Sequence, residues 1–180
     1  MIHSCTPGSL EFQFQCVATE DLAFPDHFIT TLYPEVEVSL YDQVHRFGLL
    51  QPLPVQQQPD HSCHLLAGYA YLPVLRELGS KAVWCQVVAR QAPPLPLLAL
   101  RILHGLSTVA ASPVLQAHLL QQARQPLTEE ETLDLLPLMG HKPQPYKIQE
   151  LITLLELAPE AIHALHQGIL TPKTGKALSR

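Results

Sequence analysis

Apolar and polar side chains alternate over residues 11 to 17, Glu-Phe-Gln-Phe-Gln-Cys-Val, a period of two that predicts a β-strand with Phe12, Phe14 and Cys16 together on its buried face. From 36 to 48 the period changes. Val36, Leu40, Val44 and Phe47 recur at helical spacing as one stripe, and Gly48 supplies the C-cap. Leu50 to Val55 reads as a strand, Gln56-Gln57-Gln58-Pro59-Asp60 as a polar turn, and Ser62 to Ala67 as the returning strand of a hairpin. Gly68 permits a sharp turn, after which Leu72, Val74, Leu75 and Leu78 form the apolar face of a helix, with Pro73 tolerated in its first turn. Gly79 closes that helix, and Ala82 to Val88 is a further apolar strand. The first half is expected to be a small α+β unit of strands around two helices.

Ala92-Pro93-Pro94-Leu95-Pro96 breaks the pattern, because prolines so dense neither continue a strand nor sit inside a helix. The expected domains are therefore 10–92 and 93–180. Beyond the break the helical period takes over, predicting helices near 97–107, 112–125, 128–139, 146–156 and 159–167. Ser112 followed by Pro113 reads as an N-cap with proline at the first helical position. Thr128-x-x-Glu131 fits a capping box, and Glu129, Glu130 and Glu131 sit where a helix dipole favours carboxylates.

Composition narrows the class. The 180 residues are 47% hydrophobic and 15% charged, with no run of about 18 apolar residues, so a soluble protein without a membrane span is expected. No basic stretch followed by an apolar one opens the chain, and the four cysteines, Cys5, Cys16, Cys63 and Cys85, are then best read as reduced thiols in a cytoplasmic protein. A net charge of -5 argues against a protein that coats DNA electrostatically, since neutralising phosphates takes a surplus of Lys and Arg.

Two regions carry a resemblance. Phe47-Gly48-Leu49-Leu50-Gln51-Pro52-Leu53-Pro54-Val55 and then His64-Leu65-Leu66-Ala67-Gly68-Tyr69-Ala70-Tyr71-Leu72-Pro73-Val74-Leu75-Arg76-Glu77-Leu78-Gly79 resemble the ParB N-terminal domain, in which a strand, tight turn and helix carry arginines that hold nucleotide phosphates. Leu127 to Gly140 and Tyr146 to Leu157 look like the helix-turn-helix part of that family, and Leu165 to Leu178 like its next motif. The resemblance spans roughly residues 10 to 180. It implies an α+β fold, a small mixed ParB-like N-terminal domain followed by an all-helical domain with a helix-turn-helix-like pair. It also implies CTP as a ligand, DNA as a partner, a homodimer, and a role in chromosome or plasmid partition or in regulation. Family members continue into a dimerisation domain, so a chain that stops at Arg180 is expected to be shortened.

The resemblance assigns nucleotide contact to Gly68, Tyr69, Tyr71 and Arg101. Yet the family's acidic residue and arginines fall on Tyr69, Ala70, Tyr71 and Pro73, so no guanidinium remains on the turn. Tyrosine and alanine cannot donate to phosphate as the planar fork of Arg does. Tyr69 and Tyr71 can stack on a base or sugar, or can be core residues. The expected DNA surface is His141, Lys142, Gln144, Tyr146, Lys147 and Gln149, side chains able to reach phosphates or base edges. Against it, residues 127 to 180 hold five basic and seven acidic side chains.

Other candidates are weaker. His61-Ser62-Cys63-His64 has zinc-ligand residue types, but strand alternation puts His61 and Cys63 on one face and His64 on the other, and no metal site is assigned. His163 and His166 share a helix face. No catalytic residues are assigned. The reading is a DNA-binding or partner-binding protein without catalysis; the alternatives are a CTP-type switch, a ParB-like nuclease, and a pure protein-interaction module.

Overall fold

The computed structural model describes residues 10–25, 38–104, 112–171 and 173–174, and divides into two compact units, Met1–Pro93 and Pro94–Arg180. The first is α+β and the second helical.

Among the described residues of the first unit the strands are β1 (Phe12–Ala18), β2 (Leu22–Ala23), β3 (Leu53–Gln57), β4 (Cys63–Leu65) and β5 (Ala82–Val88), and the helices are α1 (Val38–Phe47) and α2 (Tyr71–Glu77), with a 3-10 turn at Thr19–Asp21. They form one mixed sheet in the order β1-β5-β3-β4-β2. β1 runs antiparallel to β5 and β3 antiparallel to β4, as the hairpin pattern predicted, while β3 lies parallel to β5 and β2 parallel to β4. The parallel β3–β5 pair requires a crossover, and β4, the Gly68 turn and α2 supply it.

Opposed residues share a face, so the register sorts the sheet. Val17, Val83, Cys85, Val87, Leu53, Val55, Leu65 and Leu22 line one face and pack with Val44 of α1 and Leu72, Val74 and Leu75 of α2 in a single buried cluster. The other face carries Phe12, Phe14 and Cys16 opposite Val88, Gln86 and Trp84. Here one expectation is overturned. Phe14 is 63% exposed, and Phe12 and Cys16 are exposed too. Alternation puts the three on one face but does not say which face the helices cover. Gln13 and Gln15 are exposed as well, so only Val17, at the far end of β1, reaches the core.

α1 keeps the predicted stripe through Leu40 and Val44, but Phe47, its last residue, is exposed, and Val36 lies outside the described residues. Gly48 has φ 68 and closes the helix by donating to the Val44 carbonyl, the left-handed termination for which glycine is suited.

Among its described residues the second unit has α3 (Pro94–His104), α4 (Pro113–Ala123), α5 (Glu129–Leu133), α6 (Pro145–Ile152) and α7 (Pro159–His166), with 3-10 turns at Pro137–Met139 and Thr153–Glu156. α4 is the central helix, packed by α3, α6, α7 and the Thr153–Glu156 turn. It buries Val114, Leu115, Ala117, Leu119, Leu120 and Ala123 on nearly every side, as an enclosed helix must. The Ser112 cap forms, its Oγ accepting from the Leu115 amide at 3.3 Å. The Thr128 capping box is complete: Thr128 N–H donates to Glu131 Oε2 at 2.8 Å, and Glu131 N–H to Thr128 Oγ1 at 3.2 Å. The continuous helix expected over 128–139 is broken. α5 ends at Leu133, because Pro137 has no amide to donate and its ring obstructs the carbonyl four residues back. The helix expected over 146–156 likewise gives way to a 3-10 turn after Ile152.

Candidate functional site

The Gly68 turn is built as its sequence requires, but its side chains face inward. Gly68 has φ 73, and a Cβ there would lie 3.1 Å from Leu53 Cδ2 and 3.3 Å from Tyr71 Cδ2, so strand, turn and helix close together only over a hydrogen atom. Tyr69 is 9% exposed and belongs to the core cluster. Its hydroxyl donates to the Leu66 carbonyl at 3.0 Å, and its ring meets Phe24 at 6.5 Å with a 41° tilt. Tyr69 therefore takes the core position that the sequence left open beside the stacking role. Tyr71 is half-buried and packs against the same core. Arg76, the cation of α2, turns its Nη2 to the Leu22 carbonyl at 2.9 Å, tying the helix to β2. Arg101 lies on α3 in the second unit, where Nη1 donates to Gln122 Oε1 at 2.8 Å.

The stretch from His141 to Gln149 is the reverse case. Gly140, with φ 81, turns the chain out of the Pro137–Met139 turn, and α6 starts with Pro145 at its first position. Lys142, Gln144, Tyr146 and Gln149 are exposed, Tyr146 at 65%. Lys147 is half-buried and bridges to Glu150 Oε2 at 3.1 Å one turn along α6. A neighbour-on-helix pair of this kind is weak and leaves the ammonium free to exchange partners.

His141 does something else: its ring Nε2 lies 2.8 Å from Gln116 Oε1 on the buried side of α4. Burial, aided by the charge of Lys147, holds its pKa below the usual value, against an opposing pull from Glu150. His141 is thus turned inward, unlike its exposed neighbours Lys142 and Gln144. Gln116 was invisible as a candidate in the sequence because α4 also carries His118, Gln121 and Gln122, and nothing local marks which of these polar side chains is buried. Beside this stretch, Arg124, Leu127, Glu129, Thr132, Pro145, Ile148 and Gln149 line a shallow pocket of about 260 Å³.

Among the described residues, the other candidates singled out from the sequence do not come together as a site. His61 is exposed in the hairpin turn with φ 67, whereas Cys63 is buried in β4, so the two do not share a face as expected. His166 on α7 meets Ser112 Oγ at 2.7 Å, pinning α7 to the start of α4, while His163 is exposed. Burial pushes the Cys85 thiol up to about 12 and raises Cys63 as well. Both are poor nucleophiles at neutral pH, because the thiolate is the reactive form. Among the described residues no helix is long and apolar enough to cross a membrane.

No protein-family model matches the chain, and no curated protein matches it. Among solved structures it is similar to the C-terminally truncated chromosome-partitioning protein ParB from Caulobacter crescentus complexed with CTP-gamma-S, at 22% identity over 92% of this chain and 91% of that one, with a TM-score of 0.43. It is also similar to the C-terminally truncated ParB of that organism complexed to the centromeric parS site, at 19% identity over 91% and 83% of the two chains, TM-score 0.48. A third is the pNOB8-like ParB N-domain, at 19% identity over 82% of this chain and 46% of that one, TM-score 0.44. These similarities are loose superpositions at low identity. They transfer no ligand and no partner to this chain.

Proposed function

We propose that this is a non-enzymatic docking protein whose helical unit contacts DNA through the segment leading into α6, in a role of the partition or regulatory kind that the sequence resemblance implies. The observation that carries the reading is the joint exposure of Lys142, Gln144, Tyr146 and Gln149 at the start of a helix. A lysine, two amides and an aromatic ring are groups that touch phosphates and base edges, and the positive end of a helix dipole favours an approaching phosphate. The acidic first turn of α5, Glu129 to Glu131, opposes that approach, so the affinity is modest, and with so few lysine contacts it falls only gently with salt.

The test is a titration of a random duplex in low salt followed by fluorescence anisotropy. Binding by about 50 µM protein, weakened in Lys142→Ala, is the expected result, and no change at that concentration sinks the DNA reading. Nucleotide binding is the weaker reading, since the Gly68 turn holds no guanidinium and Tyr69 is committed to the core. Calorimetry with CTP and magnesium decides it: micromolar binding that vanishes in Arg101→Ala would restore it.

A second reading has its own observation. Trp84, 62% exposed, stands opposite Cys16 and diagonal to Phe14 on the face of the sheet opposite to the buried cluster. A cluster of exposed aromatics suits a protein partner. A failed duplex titration would leave this face as the better docking surface.

A further inference from the structure

We infer that Gln116 is the positioning residue of the segment proposed above to read DNA, holding His141 so that Lys142, Gln144 and Tyr146 are presented in one fixed arrangement. The inference rests on that functional reading for its purpose, but its geometry is independent.

Gln116 is 3% exposed in the middle of α4, between Leu115 and Ala117. An amide buried there is costly unless its hydrogen bonds are made, and a leucine of similar size would pack without that demand. What the amide gains is a partner 25 positions along the chain, the His141 ring at 2.8 Å. Gln116 Oε1 can only accept, so in this pairing the imidazole carries its hydrogen on Nε2. His141 is also held through its backbone, its amide donating to the Leu136 carbonyl at 3.0 Å. The next tie along the chain is Lys147 N–H to the Gln144 carbonyl at 2.9 Å, inside the first turn of α6.

Between these ties run Lys142, Pro143 and Gln144, which form no regular secondary structure and are exposed. Pro143 and Pro145 limit the rotations available to this bridge, so fixing its first residue largely fixes where the next side chains point. A segment anchored to the buried central helix at one end and continuous with α6 at the other is pre-organised, and pre-organisation lowers the entropy lost on binding.

The experiment compares wild type with Gln116→Leu and His141→Leu, the second placed at a half-buried segment position where misfolding of α4 is not at issue. In the wild type, ring nitrogen NMR reads the neutral Nε2–H tautomer of His141. In both variants the amides of Lys142, Gln144, Tyr146 and Lys147 exchange faster, while exchange in α4 and α7 holds. Duplex affinity falls roughly three- to tenfold, the size expected for re-immobilising freed side chains. Restoring a donor with His141→Gln recovers most of it. Unchanged amide exchange at Lys142, Gln144, Tyr146 and Lys147 in Gln116→Leu overturns the inference, whatever the protein binds. Failure of the wild type to bind duplex overturns the functional reading instead, and the NMR arm still decides whether Gln116 orders the segment.

Discussion

The Gly68 turn and the His141–Gln149 segment are opposites. The turn has the more distinctive sequence, and the structure spends its side chains on the fold: Tyr69 on Leu66 and Phe24, Tyr71 on the core, Arg76 on β2. The segment has little sequence signature and lies in a stretch, 127 to 180, with more acidic than basic residues, yet it places Lys142, Gln144, Tyr146 and Gln149 in solvent at the start of a helix. A motif's backbone and its side chains are separable. Gly68 keeps the backbone geometry because the close approach of Leu53 and Tyr71 requires it, whereas nothing in that packing requires a charged residue on the outside.

The comparison predicts opposite responses to mutation. The largest effect is expected for Tyr69→Ala, which empties a ring from the core and costs about 3–5 kcal/mol of first-unit stability by urea unfolding; a stable variant would mean the turn is not a structural element. Gly68→Ala should cost about 1–3 kcal/mol from positive φ and the 3.1 Å approach to Leu53, again read by urea unfolding. At the segment, Lys142→Ala and Tyr146→Ala should leave stability within about 0.5 kcal/mol. The lysine change should also lower the slope of log affinity against log salt by about 1, one phosphate contact fewer. A stability loss in either variant, with affinity intact, would erase the distinction.

A smaller effect follows from pH. Burial lowers the pKa of His118 on α4 and, with the charge of Lys147, that of His141. The unfolded chain therefore takes up these protons first. Their contribution is fully present above the ordinary histidine pKa of 6.5 and is lost as pH falls through the lowered folded values. Urea midpoints of the helical unit should decline from pH 7 toward pH 5, and replacing both histidines by Gln should flatten that slope. Smallest is a chemical contrast: in a Cys5→Ser background a thiol reagent should modify Cys16 promptly and spare Cys63 and Cys85 until unfolding.

Much of the fold was legible because local patterns were strong. The β3–β4 hairpin, the Gly68 turn, α2, β5 and both helix caps follow from apolar period, glycine position and cap residues. The two-residue β2 was not legible, since so short a strand exists only by pairing with β4. The site was less legible than the fold. Lys142, Gln144, Tyr146 and Gln149 could be picked as exposed polar and aromatic residues near a helix start, but His141 and Gln116 could not be paired, because contact between positions 25 apart is a tertiary fact.

The sequence by itself determined where the chain is extended, where it is helical, and which residues of an element share a face, since those follow from backbone geometry and from side-chain period. Only the tertiary structure decided which face is covered. It exposed Phe14 and Trp84 because the helices pack on the opposite side of the sheet, and buried Tyr69 because the turn closes over Leu53. Burial depends on what arrives from elsewhere in the chain, and no local period encodes that.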